Sequence, residues 1–109
     1  MKRTIKDIEE ILKKAKAALQ KIYGKRLKGV ILYGSYARGD AVEGSDIDLI
    51  VLIDNMENPI EELEKCFKQI HQLDLAYDTL ISMIPFDLDQ YNTRKLPIIL
   101  NARKEGIPI

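Results

Sequence analysis

The stretch VILYGSYARGDAVEGSDIDLIVLI, Val30 to Ile53, decides how this chain is read. Val30-Ile31-Leu32-Tyr33 is a short β-branched apolar run, predicting a buried strand. It stops at Gly34-Ser35, and residues 34 to 45 are small and turn-forming, with room for one helical turn near Ser35 to Arg38. Asp46 to Ile53 then reads as a second strand whose far half is apolar on both faces, placing it in the middle of a sheet.

Asp46 and Asp48 stand at i and i+2 of that strand, so their side chains share one face with Cα atoms about 6.5 Å apart. Two carboxylates on one face repel each other, and hard oxygen ligands of this kind suit Mg²⁺. A D-x-D pair is common, and alone it reads as a solvated strand start or a turn-capping pair. Gly34 directly after a strand lets another group approach the backbone, and Ser35 can begin a turn whose free N–H groups and hydroxyl bind phosphate oxygens. A phosphate cradle and an acidic pair at the ends of neighbouring strands are expected to form one site.

Outward from this stretch, Ile5, Ile8, Leu12, Ala15, Leu19 and Ile22 recur at spacings of three and four, predicting an amphipathic helix begun by Thr4 and ended by Gly24. Asn58-Pro59 signals a second helix, with Leu63, Phe67, Ile70 and Leu73 as its expected buried stripe. Cys66 beside that stripe reads as a packed thiol, and His71, the only histidine, as a solvated side chain. Asp78 to Ile84 is expected to be the third strand, ended by Pro85 and Asp87. Helical segments follow at Leu88 to Thr93 and Leu96 to Lys104, with Gly106 as the stop. Tyr91 and Arg94 suit either ordinary packing or the edge of an acceptor site.

The order helix, strand, strand, helix, strand, helix predicts an α/β (α+β) fold, with a short mixed sheet and helices mainly on one face. With 109 residues, the expectation is a single domain over 1–109. Lys plus Arg balance Asp plus Glu at 17 each, so no global charge draws the chain to nucleic acid or a membrane. One cysteine excludes an internal disulfide. The charged amino terminus does not read as a signal peptide, and no run has the length of a membrane span. A cytoplasmic protein is expected.

Gly34-Ser35, ten intervening residues and Asp46-x-Asp48, with Ala37-Arg38-Gly39 between them, resemble the signature of the DNA polymerase β-like nucleotidyltransferase superfamily. In particular they resemble the minimal nucleotidyltransferases, the MNT proteins that pair with HEPN-domain partners. The resemblance covers almost the whole chain. It implies that Asp46 and Asp48 ligate one or two Mg²⁺ ions on a nucleoside triphosphate, ATP or another, while Gly34 and Ser35 hold its phosphates. Arg38 either joins them or pairs with Asp40 or Glu43 on the surface. The resemblance also implies a third carboxylate on a further strand. Asp78 is the preferred choice for metal binding or for taking the acceptor's proton, with Asp74 the weaker rival. In the alternative register Ser82 occupies the acid's place and the site is incomplete.

The implied activity is transfer of a nucleotidyl group to an acceptor hydroxyl. The implied acceptor lies on a partner protein, a HEPN toxin that the MNT protein would adenylylate as antitoxin, and association into an oligomer stays open. A catalytically inactive module that blocks its partner, and transfer to a small molecule, are the competing expectations.

Overall fold

The computed structural model describes residues 2–56 and 58–109. Four strands form one sheet in the order β3-β2-β1-β4: β1 Leu27–Tyr33, β2 Ile47–Ile53, β3 Ile81–Asp87 and β4 Ile107–Pro108. β1 runs antiparallel to β2 and to β4, while β2 and β3 are parallel, so the sheet is mixed as expected. The helices are α1 Glu9–Tyr23, α2 Ser35–Arg38, α3 Pro59–Tyr77, α4 Leu88–Thr93 and α5 Pro97–Glu105. A 3₁₀ turn, Ile5–Ile8, leads into α1, and the Asp7 carboxylate accepts the Thr4 amide at 2.7 Å.

Residue alternation divides the sheet into two faces. Val30, Leu32, Leu49, Val51 and Ile53 point toward α1 and α3, in a core completed by Ile8, Leu12, Ala15, Leu19 and Ile70. Ile50 and Leu52 point the other way, under the shorter α4 and α5, with Tyr91, Ile99 and Ala102. The two long helices therefore occupy one face, and α5 closes part of the other.

The buried stripe of α3 differs from the expected one. Glu62, Cys66 and Ile70 are buried, whereas Leu63 and Phe67 stay 44% and 60% exposed. The helix is rotated by about one position because two groups of the adjacent segments reach it. Arg26 pairs with the Glu62 carboxylate at 2.6 Å, and the Tyr23 hydroxyl lies 2.7 Å from Cys66 Sγ while donating to Glu62 O at 2.9 Å. Cys66 is thus a packed thiol, and burial raises its pKa above the ordinary value. His71 is half exposed and stacks on Phe67 with ring centroids 5.2 Å apart.

The third strand begins later than expected, at Ile81 rather than Asp78. Asp78 instead ends α3 in the left-handed conformation (φ 49°, ψ 53°), a position that Asp tolerates better than most residues. β3 is an edge of the sheet. Ile47 N donates to Leu80 O at 2.9 Å, so the parallel register turns the backbone groups of Ser82 and Ile84 toward β2 and those of Ile81, Met83 and Pro85 away from it. Ile81 N donates to Asp74 Oδ1 at 2.9 Å, and Pro85 has no N–H to offer.

Candidate active site

β1 ends at Tyr33 because Gly34 turns the chain, with φ 75° and ψ −152°, a region open in practice only to glycine. Ser35 then begins α2, a single turn closed by Arg38 N to Gly34 O at 3.1 Å and Asp40 N to Ser35 O at 2.9 Å. As the first residues of a helical turn, Ser35, Tyr36 and Ala37 have amides without intrahelical acceptors. Tyr36 is buried in the main core and anchors the turn.

Asp46 stands exposed just before β2, on a turn closed by Val42 N to Ser45 Oγ at 2.9 Å and Ser45 N to Val42 O at 3.0 Å. Asp48 lies inside β2, partly buried, and pairs in register with Tyr33 on one side and Ser82 on the other. A Cβ built on Gly34 would collide with the Asp48 carboxylate, at Oδ2 first and at Cγ within 3.1 Å. The missing side chain is what lets the carboxylate rest against the turn. The glycine-serine turn and the acidic pair therefore meet in space.

The electrostatics agree with that proximity. Burial and then the neighbouring charge of Asp46 hold the Asp48 carboxyl above its usual pKa, and Arg38 opposes them in part. Tyr33 is also raised, first by burial and then by the Asp48 charge. A carboxylate that burial and a like-charged neighbour push toward its protonated form is short of positive charge. Oxygen donors in that state fit a divalent cation such as Mg²⁺, which takes one or two carboxylates and completes its shell with phosphate oxygens and water.

Arg38 points its guanidinium at Asp40 (3.1 Å) and more loosely at Glu105 of α5 (3.9 Å). The surface pairing with Asp40 is therefore present, and Glu105 rather than Glu43 is its second acid. Asp78 is not drawn into the pair: among the described residues, no three of His, Cys, Asp and Glu are gathered closely enough to hold a metal ion. Asp78 and Asp46 instead line one hollow of about 490 Å³, with Tyr36, Tyr77 and Thr79. Asp74, the rival, is committed to the Ile81 amide. Ser82 occupies the position beside Asp48 on the adjacent strand, so both register partners of Asp48 carry hydroxyls. Tyr91 is buried, with Arg103 stacked 5.5 Å over its ring and bonded to its carbonyl at 2.7 Å, a packing role.

A second hollow, of about 430 Å³, opens on the other side of the glycine turn between Tyr33 and α5. Sequence reasoning missed it, because Ile98, Asn101 and Glu105 meet Tyr33 only through the packing of α5. Their spacing of three and four was the available signal.

Known proteins resemble this chain in sequence and in fold. A protein of Methanocaldococcus jannaschii named "Putative protein adenylyltransferase MJ0141" is 42% identical over 78 residues, covering 72% of this chain and 78% of that protein. Three solved structures share the fold at about one fifth identity. One is described as a putative nucleotidyltransferase from Sulfolobus solfataricus, with TM-score 0.64 over 95% of this chain and 83% of that one. Another is a toxin-antitoxin complex with AMP-PNP, with TM-score 0.61 over 86% and 68%. The third is tri-AMPylated Shewanella oneidensis HEPN toxin in complex with MNT antitoxin, with TM-score 0.55 over 92% and 66%. The sequence pattern of the nucleotidyltransferase domain family matches residues 12–104, around the turn and acidic pair described above, and the chain belongs to that family.

Proposed function

We propose that residues 1–109 form a single minimal nucleotidyltransferase domain that transfers AMP from ATP to a hydroxyl on a partner protein. The observation that carries this reading is the packing of Asp48 against the Gly34 turn with Asp46 beside it. Asp46 and Asp48 hold Mg²⁺, which supplies charge neutralisation along the triphosphate. The Ser35 hydroxyl and the open amides of α2 bind phosphate oxygens, and Arg38 swings from Asp40 to add positive charge.

The acceptor oxygen bonds to the α-phosphorus in line as the bond to the bridging oxygen breaks and pyrophosphate leaves. Asp78, across the hollow that Asp46 lines, takes the hydroxyl proton. The acceptor is a HEPN-domain toxin, and the modification silences it. The name of the M. jannaschii relative and the AMPylated toxin of the S. oneidensis complex support this choice. No helix among the described residues is long and apolar enough to cross a membrane, which accords with action on a protein in the cytoplasm.

Labelled ATP, Mg²⁺ and the gene-neighbour protein provide the test. Label should move to the neighbour, and Asp46→Ala or Asp48→Ala should reduce transfer by at least about a hundredfold, as loss of a principal electrostatic group does. The position of Ser82 favours a second reading, a catalytically inactive module that binds and blocks its partner. Tight, unlabelled complexes that survive both substitutions would select it.

A further inference from the structure

The hollow between Tyr33 and α5 borders the proposed phosphate turn directly, since Gly34 and Arg38 form one of its walls. Its far wall is one face of α5, where Ile98, Asn101 and Glu105 follow one another at helical spacing. α5 is held in place by its other face, where Ile99 and Ala102 are buried against Ile50 and Leu52. The Arg38–Glu105 contact at 3.9 Å ties the helix to the turn at the rim. The hollow thus offers an aromatic ring at Tyr33, an aliphatic ledge at Ile98 and one exposed carboxamide at Asn101, beside amides suited to phosphate.

We propose that this hollow is the nucleobase subsite, with the base between Tyr33 and Ile98 and Asn101 selecting adenine. This rests on the nucleotide-binding reading above. Flat bases stack on aromatic rings whatever their identity. The carboxamide supplies the choice: its oxygen accepts from the adenine amino group while its N–H donates to N7. Guanine presents an acceptor oxygen in place of that amino group, so the amide oxygen would face another oxygen. The hollow on the Asp46 and Asp78 side is left to the acceptor.

The test measures binding of the Mg²⁺ complexes of ATP, GTP and inorganic tripolyphosphate to the whole chain and to Asn101→Ala. Asn101 is exposed, so the variant should keep the parent's melting temperature. The intact protein should favour ATP over GTP by about tenfold. Asn101→Ala should erase most of that ratio by weakening ATP and leave tripolyphosphate unchanged. Ile98→Ala should weaken ATP and GTP together. Unchanged ATP affinity and ATP-to-GTP ratio in Asn101→Ala, with tripolyphosphate still bound, would overturn the subsite while sparing the phosphate site. Failure of both ATP and tripolyphosphate to bind the intact protein would overturn both readings.

Discussion

β1 and β2 serve both faces of the sheet with alternating residues, yet the two faces end in opposite conditions. Toward α1 and α3, Val30, Leu32, Leu49, Val51 and Ile53 are almost completely removed from water. Toward α4 and α5, Ile50 and Leu52 are covered, but the row Tyr33–Asp48–Ser82 is left as a half-buried polar margin, with Tyr33 at the edge of the cluster that α5 completes. One face spends its strand residues on stability; the other keeps a repulsive carboxylate pair that stability alone would remove. Function in so short a chain depends on the first face being secure enough to carry the second.

The largest expected effect lies on the sealed face. Leu49→Ala should cost about 2–5 kcal/mol in denaturant unfolding, as large-to-small changes at full burial do. A cost below that of an exposed leucine such as Leu63 would mean the contrast between faces is misplaced.

Gly34→Ala comes next, because it joins the two conditions. Holding a non-glycine residue at that backbone geometry costs about 1–3 kcal/mol, and the new Cβ also drives the Asp48 carboxylate from its place. Stability and Mg·ATP binding should fall together. Loss of stability with nucleotide binding intact would separate the turn from the acidic pair.

The smallest effect has the opposite sign. Asp48 binds its proton more tightly in the folded chain than an ordinary carboxyl, so its charge opposes folding above that pKa. Asp48→Asn should therefore raise the metal-free melting temperature slightly at neutral pH. The gain should shrink as acidification through the raised pKa protonates the parent's own carboxyl. Mg²⁺ binding by the parent should weaken over the same interval, above the range where a solvated aspartate titrates. A melting temperature lowered at neutral pH would show that the carboxylate is a structural partner instead.

The core of this organisation was legible in the sequence for a local reason. β1, β2, the glycine turn and both aspartates lie within residues 30–53, where alternation and turn chemistry act over a few positions. The start of α3 at Asn58-Pro59 and the two late helices were legible in the same way, and Asn58 Oδ1 indeed accepts the Ile60 and Glu61 amides. What escaped depends on distant partners. Glu62 is buried because Arg26, 36 residues away in sequence, reaches it, and this turned Leu63 and Phe67 outward. Asp78 looked like a strand opening because acidic residues suit both turns and strand starts. Its left-handed backbone at the end of α3 settles which it is, and leaves Ser82 beside Asp48.

The outer border of β3 has a consequence for how molecules of this kind coexist at high concentration. Of its outward-facing residues Ile81, Met83, Pro85 and Asp87, Pro85 brings no N–H and Ile81 has given its own to Asp74. Met83 and the terminal Asp87 remain, an interrupted row on which a ladder starts poorly. This edge of the sheet is thus protected against strand-on-strand addition by further copies of the chain.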